Sequence, residues 1–175
     1  PYMEKYRIEG KVKLPFFLTP DKHYVGVAWY QKKVTIPSDW KGERILLFLE
    51  RPHIERTVWV NTKEIGMQNS LCVPHVYDLT SAVTPGKPCR ITIRVDNRIK
   101  EINVGPDSHS ITDQTQGNWN GIVGKIELQT TPKVYFNDIQ VYPDLSHGKA
   151  LVRMNVKSSS SAKGEITLSA ENFNT

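Results

Sequence analysis

RITIRVDN, residues 90–97, decides the fold class. Ile91, Ile93 and Val95 alternate with Arg90, Thr92 and Arg94, so every second side chain is apolar. A strand rises with a two-residue side-chain period, so this pattern buries one face and leaves the other to polar groups. The same period recurs upstream in AWYQKKVTIP (28–37), where Tyr30, Val34 and Ile36 share one face and Gln31, Lys33 and Thr35 the other. ERILLFLE (43–50) is apolar almost without interruption, as expected of a strand covered on both faces. TVWVNTKEIG (57–66) reads as a strand, a tight turn at Asn61–Lys63 and a short return strand. Pro37-Ser38-Asp39, Lys41-Gly42, Thr84-Pro85-Gly86 and Gly105-Pro106-Asp107 punctuate these runs as turns. No window of ten residues carries a helical stripe; YDLTSAV (77–83) offers one or two turns at most. Short strands separated by turns predict an all-β antiparallel sandwich or jelly roll.

Composition sets the outer bounds. Hydrophobic residues make up 38% of the 175 and charged residues 23%, enough apolar content for a folded core. The net charge of +5 comes from 23 Lys and Arg dispersed among 18 acids, with no like-charge block. Nucleic-acid binding would need a basic stripe interleaved with aromatics, and none is present. No stretch of about 18 apolar residues exists to cross a membrane as a helix. The five histidines are scattered and no CxxC occurs, so no metal site or cofactor is expected. Cys72 and Cys89 flank strand-like segments and read as small buried thiols, with a disulfide left open. The chain starts PYMEKYRIEG without an initiator Met and is expected to be part of a longer protein.

A boundary is expected near Thr130-Thr131-Pro132. KIELQ (125–129) would close a first unit, residues 1–131. Residues 132–175 would then begin a second, with strands in VYFNDIQVYPD (134–144), ALVRMNVKSS (150–159) and GEITLSAENF (164–173). These 44 residues are fewer than the roughly 100 of a complete sandwich. The expectation is the first three strands of an immunoglobulin-like domain, with an open edge that would be an aggregation liability or a dimerisation surface.

The ordered series GVAWYQKKVTIPSDWKGERILLFLE, VWVNTKEIG, VPHVYDLT, PGKPCRITIRVDN and WNGIVGKIEL resembles the N-terminal sugar-binding domain of glycoside hydrolase family 2. The resemblance runs from about residue 24 to 145, and it lies closest to the β-galactosidases. Asn61-Thr62 departs from the Asn-Gly usual in that turn. The resemblance implies a jelly-roll, galactose-binding-like sandwich, then an immunoglobulin-like domain, then a (β/α)₈ barrel beyond Thr175. It places both catalytic carboxylates on that barrel. Retaining hydrolysis needs two carboxyl groups about 5–5.5 Å apart, and this chain offers no pair to nominate. Asp96, just after a strand, and Asp107 and Asp113, in loops, read as turn or surface groups. No catalytic residue is therefore expected here, and this part alone should be inactive. Its partners would be the barrel and, through the whole protein, a carbohydrate. The resemblance further implies a bacterial periplasmic or secreted location.

Trp29, opposite Tyr30, and Trp59 are expected to pack in the core or against a neighbouring domain, and Trp40 to cover a sheet edge. Trp119 differs because it follows a 22-residue span, Asn97 to Asn118, with little strand pattern and many hydroxyl-compatible amides and acids. Loops this long are commonly functional. The resemblance puts Asp113-Gln114 near the glycone, with Asn118 and Trp119 beside it; Asn69, in Gln68-Asn69-Ser70, occupies another active-site loop. Asp113, Asn118, Trp119 and Asn69 are thus the expected substrate contacts. An independent carbohydrate-binding module without hydrolase activity is the alternative.

Overall fold

The computed structural model describes residues 24–70, 73–98, 100 and 121–171, together with the backbone of two short strands, β1 (Arg7–Ile8) and β2 (Lys11–Val12). Among the described residues every regular element is a strand, apart from one 3₁₀ turn at Ser38–Trp40. The all-β expectation holds. YDLTSAV becomes the end of a strand followed by a single turn, in which Ala82 N and Val83 N both donate to Leu79 O.

The first compact unit runs from Pro1 to Thr130 and holds, besides the β1–β2 pair, two larger sheets among the described residues. One has the order β3-β8-β5-β6, built from β3 (Val27–Thr35), β8 (Pro88–Asp96), β5 (Glu55–Val60) and β6 (Lys63–Asn69). The other has the order β7-β4-β9, built from β7 (His75–Asp78), β4 (Arg44–His53) and β9 (Gly121–Thr131). RITIRVDN lies in β8, where antiparallel register aligns Tyr30 with Ile93 and Ile93 with Val58. Ile91, Ile93 and Val95 of β8 and Val58 and Val60 of β5 meet Ile45, Leu47, Leu49 and Tyr77 of the facing sheet in one apolar cluster. Burying a side chain such as Leu49 contributes about 1.5–3 kcal/mol.

β4 is central in its sheet, and Ile45, Leu46 and Leu47 are buried in succession. Consecutive strand residues point to opposite faces, so both faces of β4 are covered. The β5–β6 hairpin turns on Asn61-Thr62, with Asn61 at φ 53°. Asn tolerates that left-handed conformation better than most residues. Here its amide has a second task. Asn61 N donates to Arg90 O (2.7 Å), and Asn61 Oδ1 accepts from Arg90 N (3.0 Å), so the turn is pinned to β8.

One expectation is narrowed and two require correction. Trp29 does not enter the core, because Ala28, Tyr30, Lys32 and Val34 take the inward phase of β3. Its ring is 61% exposed and meets Trp59 at a centroid distance of 5.6 Å. Asp96 is not a surface group; it ends β8 fully buried. The third concerns GEITLSAENF, of which residues 164–171 are described and carry no strand. A strand is defined by its ladder, and this segment has no paired neighbour among the described residues. Cys89 is a free buried thiol whose pKa burial raises, the state of an inert core cysteine; Cys72 lies outside the described residues.

The second compact unit, Thr131–Thr175, is built on the antiparallel hairpin of β10 (Val134–Asp144) and β11 (Lys149–Ser158). Its turn is organised by Asp144, which accepts from Ser146 Oγ (2.7 Å) and His147 N (3.2 Å).

Candidate functional site

Asp113, Asn118 and Trp119 lie outside the described residues. Both ends of the span that carries them are described, and each is tied to the sandwich by sequence-specific contacts. At the start, Asn97 accepts from Gly26 N through Oδ1 (2.7 Å) and donates through Nδ2 to Tyr24 O (2.6 Å). Immediately before it, Asp96 is held by three cations. Arg98 donates from Nε (2.8 Å) and Nη2 (2.7 Å), Lys100 Nζ lies at 2.9 Å, and Arg94 Nη2 at 3.2 Å. Glu55, aligned with Asp96 across the β5–β8 ladder, shares two of these partners: Arg94 Nη1 at 3.0 Å and Lys100 Nζ at 3.1 Å. At the far end, Gly121 takes φ +79°, and a Cβ there would strike the Tyr30 hydroxyl. Only glycine meets both demands at little cost.

The Asp96 cluster cannot perform acid–base work. The Arg98 bonds, followed by those from Lys100, hold its carboxyl well below the usual carboxylate range despite burial. A carboxylate fixed in its ionised form, with its lone pairs occupied, is neither a proton donor at neutral pH nor an accessible nucleophile. It is a positioning device: Arg98 and Lys100 are the first residues of the long segment, and Asp96 anchors them to the sheet. Sequence reasoning missed this role, although a signal was available. Arg94, Arg98 and Lys100 surround Asp96 at −2, +2 and +4, with one acid among three bases at a strand end.

Asn69 is placed at the end of β6, exposed and aligned with Glu55. Its two neighbours are committed elsewhere. Gln68 Nε2 donates to Val76 O (2.7 Å), and Ser70 Oγ lies 3.1 Å from His75 Nε2. Of Gln68-Asn69-Ser70, only Asn69 presents its amide outward. The structure does not show Asn69 beside the other three predicted residues, since those are outside the described set.

The outer face of the four-stranded sheet carries the tilted Trp29–Trp59 pair and, next to it, Gln31 donating to Thr92 Oγ1 (3.0 Å). Between the sheets, on the side of β3 and β9, a cleft of about 660 Å³ opens among Tyr30, Lys32, Val34, Ile93, Ile126 and Leu128. Its walls are mostly aliphatic and offer few partners for sugar hydroxyls. Among the described residues no group of three or more His, Cys, Asp or Glu could hold a metal ion, and no helix is long and apolar enough to cross a membrane.

Residues 4–132 match the family described as glycosyl hydrolases family 2, sugar binding domain. The chain belongs to glycoside hydrolase family 2. Family 2 relatives of known sequence include a β-glucuronidase from Paenibacillus borealis, 24% identical over 83% of this chain and 26% of its own length. The Homo sapiens β-glucuronidase is 27% identical over 86% of this chain and 27% of its own length. Among solved structures, the Faecalibacterium prausnitzii β-glucuronidase superposes with a TM-score of 0.62 at 26% identity, covering 78% of this chain and 27% of that one. The chain thus spans about a quarter of the length of these relatives. The family 2 match covers the sandwich and both anchored ends of the long polar span.

Proposed function

We propose that the chain is the N-terminal, non-catalytic part of a retaining β-glycosidase. In this reading the sandwich buttresses a catalytic barrel, and the span between β8 and β9 lends Asp113, Asn118 and Trp119 to the sugar pocket, with Asn69 nearby. The observation that supports it most is the anchoring of that span at both ends: Asp96 clamps one end, and at the other Gly121 opens β9, which pairs with β4 and where Tyr30 leaves no room for a side chain. Holding a loop so firmly at its base suits a loop that must present side chains in register. The caged state of Asp96 and Glu55 fits a part that supports chemistry performed elsewhere.

The relatives favour a β-glucuronide as substrate, while the resemblance seen in the sequence favours a β-galactoside. Assaying the whole protein against p-nitrophenyl β-glucuronide and p-nitrophenyl β-galactoside separates the two. Asp113→Asn and Trp119→Ala are expected to change KM or kcat in the whole protein. Hydrolysis by this chain alone, or an inactive whole protein, would sink the proposal. Micromolar binding of galactosides or plant oligosaccharides by this chain in isothermal titration would instead favour an independent carbohydrate-binding module. A periplasmic or secreted bacterial location is part of the same proposal, and fractionation of the source cells tests it.

A further inference from the structure

Val58 and Val60 face the core from β5, so the alternation carries Arg56 inward as well. Its side chain is 0% exposed. Nη1 reaches Ser70 O at 3.4 Å, while Nε and Nη2 have no hydrogen-bond partner among the described residues. Opposite, β7 turns His75 and Tyr77 into the same interior. Tyr77 Oη donates to Arg56 O (3.2 Å), tying the two sheets together. His75 Nε2 meets Ser70 Oγ, and its Nδ1 is also buried without a partner among the described residues.

Two features make this more than a poorly packed arginine. First, the open atoms are specific: Nε and Nη2 form the side-on edge of a guanidinium, whose parallel N–H groups match the two oxygens of a carboxylate. Second, no carboxylate among the described residues reaches that edge, whereas Asp96 and Glu55, the acids nearest in the ladder, are taken up by Arg94, Arg98 and Lys100. A buried cation without a counter-charge costs several kcal/mol. Burial lowers the Arg56 pKa to about 9, which still leaves it charged at neutral pH.

We propose that the side-on edge of Arg56, with His75 beside it, is a receptor for a carboxylate held between the two sheets. That carboxylate comes either from a small organic acid or from an acidic side chain of this protein. Its argument rests on Arg56, His75 and Ser70 alone and not on the role proposed above for the span between β8 and β9.

Refolding the chain in sodium formate or acetate, against sodium chloride at equal ionic strength, tests the first source by thermal unfolding. A saturable rise in Tm of roughly 5–10 °C is expected in the wild type. It should vanish in Arg56→Met and shrink sharply in Arg56→Lys, which keeps the charge without the fork. Should Arg56→Met not fold, the Arg56→Lys comparison carries the test. The second source is tested by converting each of the 18 acidic residues to its amide. The internal partner is the acid whose loss destabilises the wild type but not Arg56→Met. Two results would overturn the proposal: a carboxylate effect that persists in both Arg56 variants, or no carboxylate effect together with no acid coupled to Arg56.

Discussion

His75 should make the stability of this sandwich depend on pH in a window where few other side chains titrate. Its ring is 1% exposed between the sheets, and burial, followed by the repulsion of Arg56, lowers its pKa from 6.5 to about 4. The unfolded chain takes up a proton near 6.5, whereas the folded chain resists doing so until about 4. Between those values the unfolded state binds more protons, so stability falls as pH falls and is fully present above 6.5. Using these two values, moving from pH 7.5 to pH 5 removes about 2 kcal/mol. For a chain of this size that is a drop in Tm of about 4–8 °C. Urea unfolding at the two pH values measures it, with His75→Gln as reference. Gln keeps a polar group in place but cannot titrate. The variant should lose about 2 kcal/mol less than the wild type over this interval. Equal pH slopes for the two proteins would refute the reasoning, whatever their absolute stabilities.

Two further substitutions probe the anchoring of β8 and β9. Gly124 sits at φ +85°, and a Cβ there would collide with the Glu50 carboxylate, which accepts from Lys125 N at 2.8 Å. Gly124→Ala is expected to cost about 2–4 kcal/mol from backbone strain and the displaced bond, read by urea denaturation. Asp96→Asn preserves shape but leaves Arg98 without its counter-charge and Arg94 and Lys100 with Glu55 alone, so the variant should be less stable than the wild type. Because the folded carboxyl titrates below its ordinary value, this stabilisation is present above about pH 4 and is lost as pH falls further. The wild-type advantage over Asp96→Asn should therefore shrink in acid, which a pH series of thermal melts would reveal.

The sequence made the strands legible because period two leaves little freedom: in RITIRVDN the three apolar residues could only share a face, and in β8 they do. The uninterrupted apolar run of β4 likewise announced a central strand. Alternation does not say how far a strand's flank is covered, so it left Trp29 between the core and the face of a neighbouring domain. It lies on edge strand β3, with its own phase outward. Asp96 was hidden for a different reason. An acid at a strand end usually serves a turn, and only its three basic neighbours mark it as buried. Arg56 was readable in principle, as the one charged residue in the inward phase of ERTVWV. The span holding Asp113, Asn118 and Trp119 has no period at all. Its composition hints at sugar contacts, but nothing in it encodes where each side chain points.

Two charge clusters meet on β5, on opposite faces of one sheet, and they differ in closure. On the outer face, Glu55 and Asp96 have every charge matched, which fixes the base of the long span. On the inner face, Arg56 has a donor edge to spare, and its repulsion adds to the burial that lowers the basicity of His75 beside it. That coupling links the pH experiment to the proposed receptor. A carboxylate seated on Arg56 would leave the larger effect of burial in place but offset the guanidinium's repulsion of a protonated His75, raising the histidine's pKa part of the way back. The folded and unfolded states would then differ less in proton uptake, and the loss of stability between pH 7.5 and 5 would shrink. Formate should therefore flatten the wild-type pH profile while raising its stability overall, and leave the profile of Arg56→Lys nearly unchanged. A carboxylate that stabilised the wild type equally at both pH values would be binding somewhere other than beside His75.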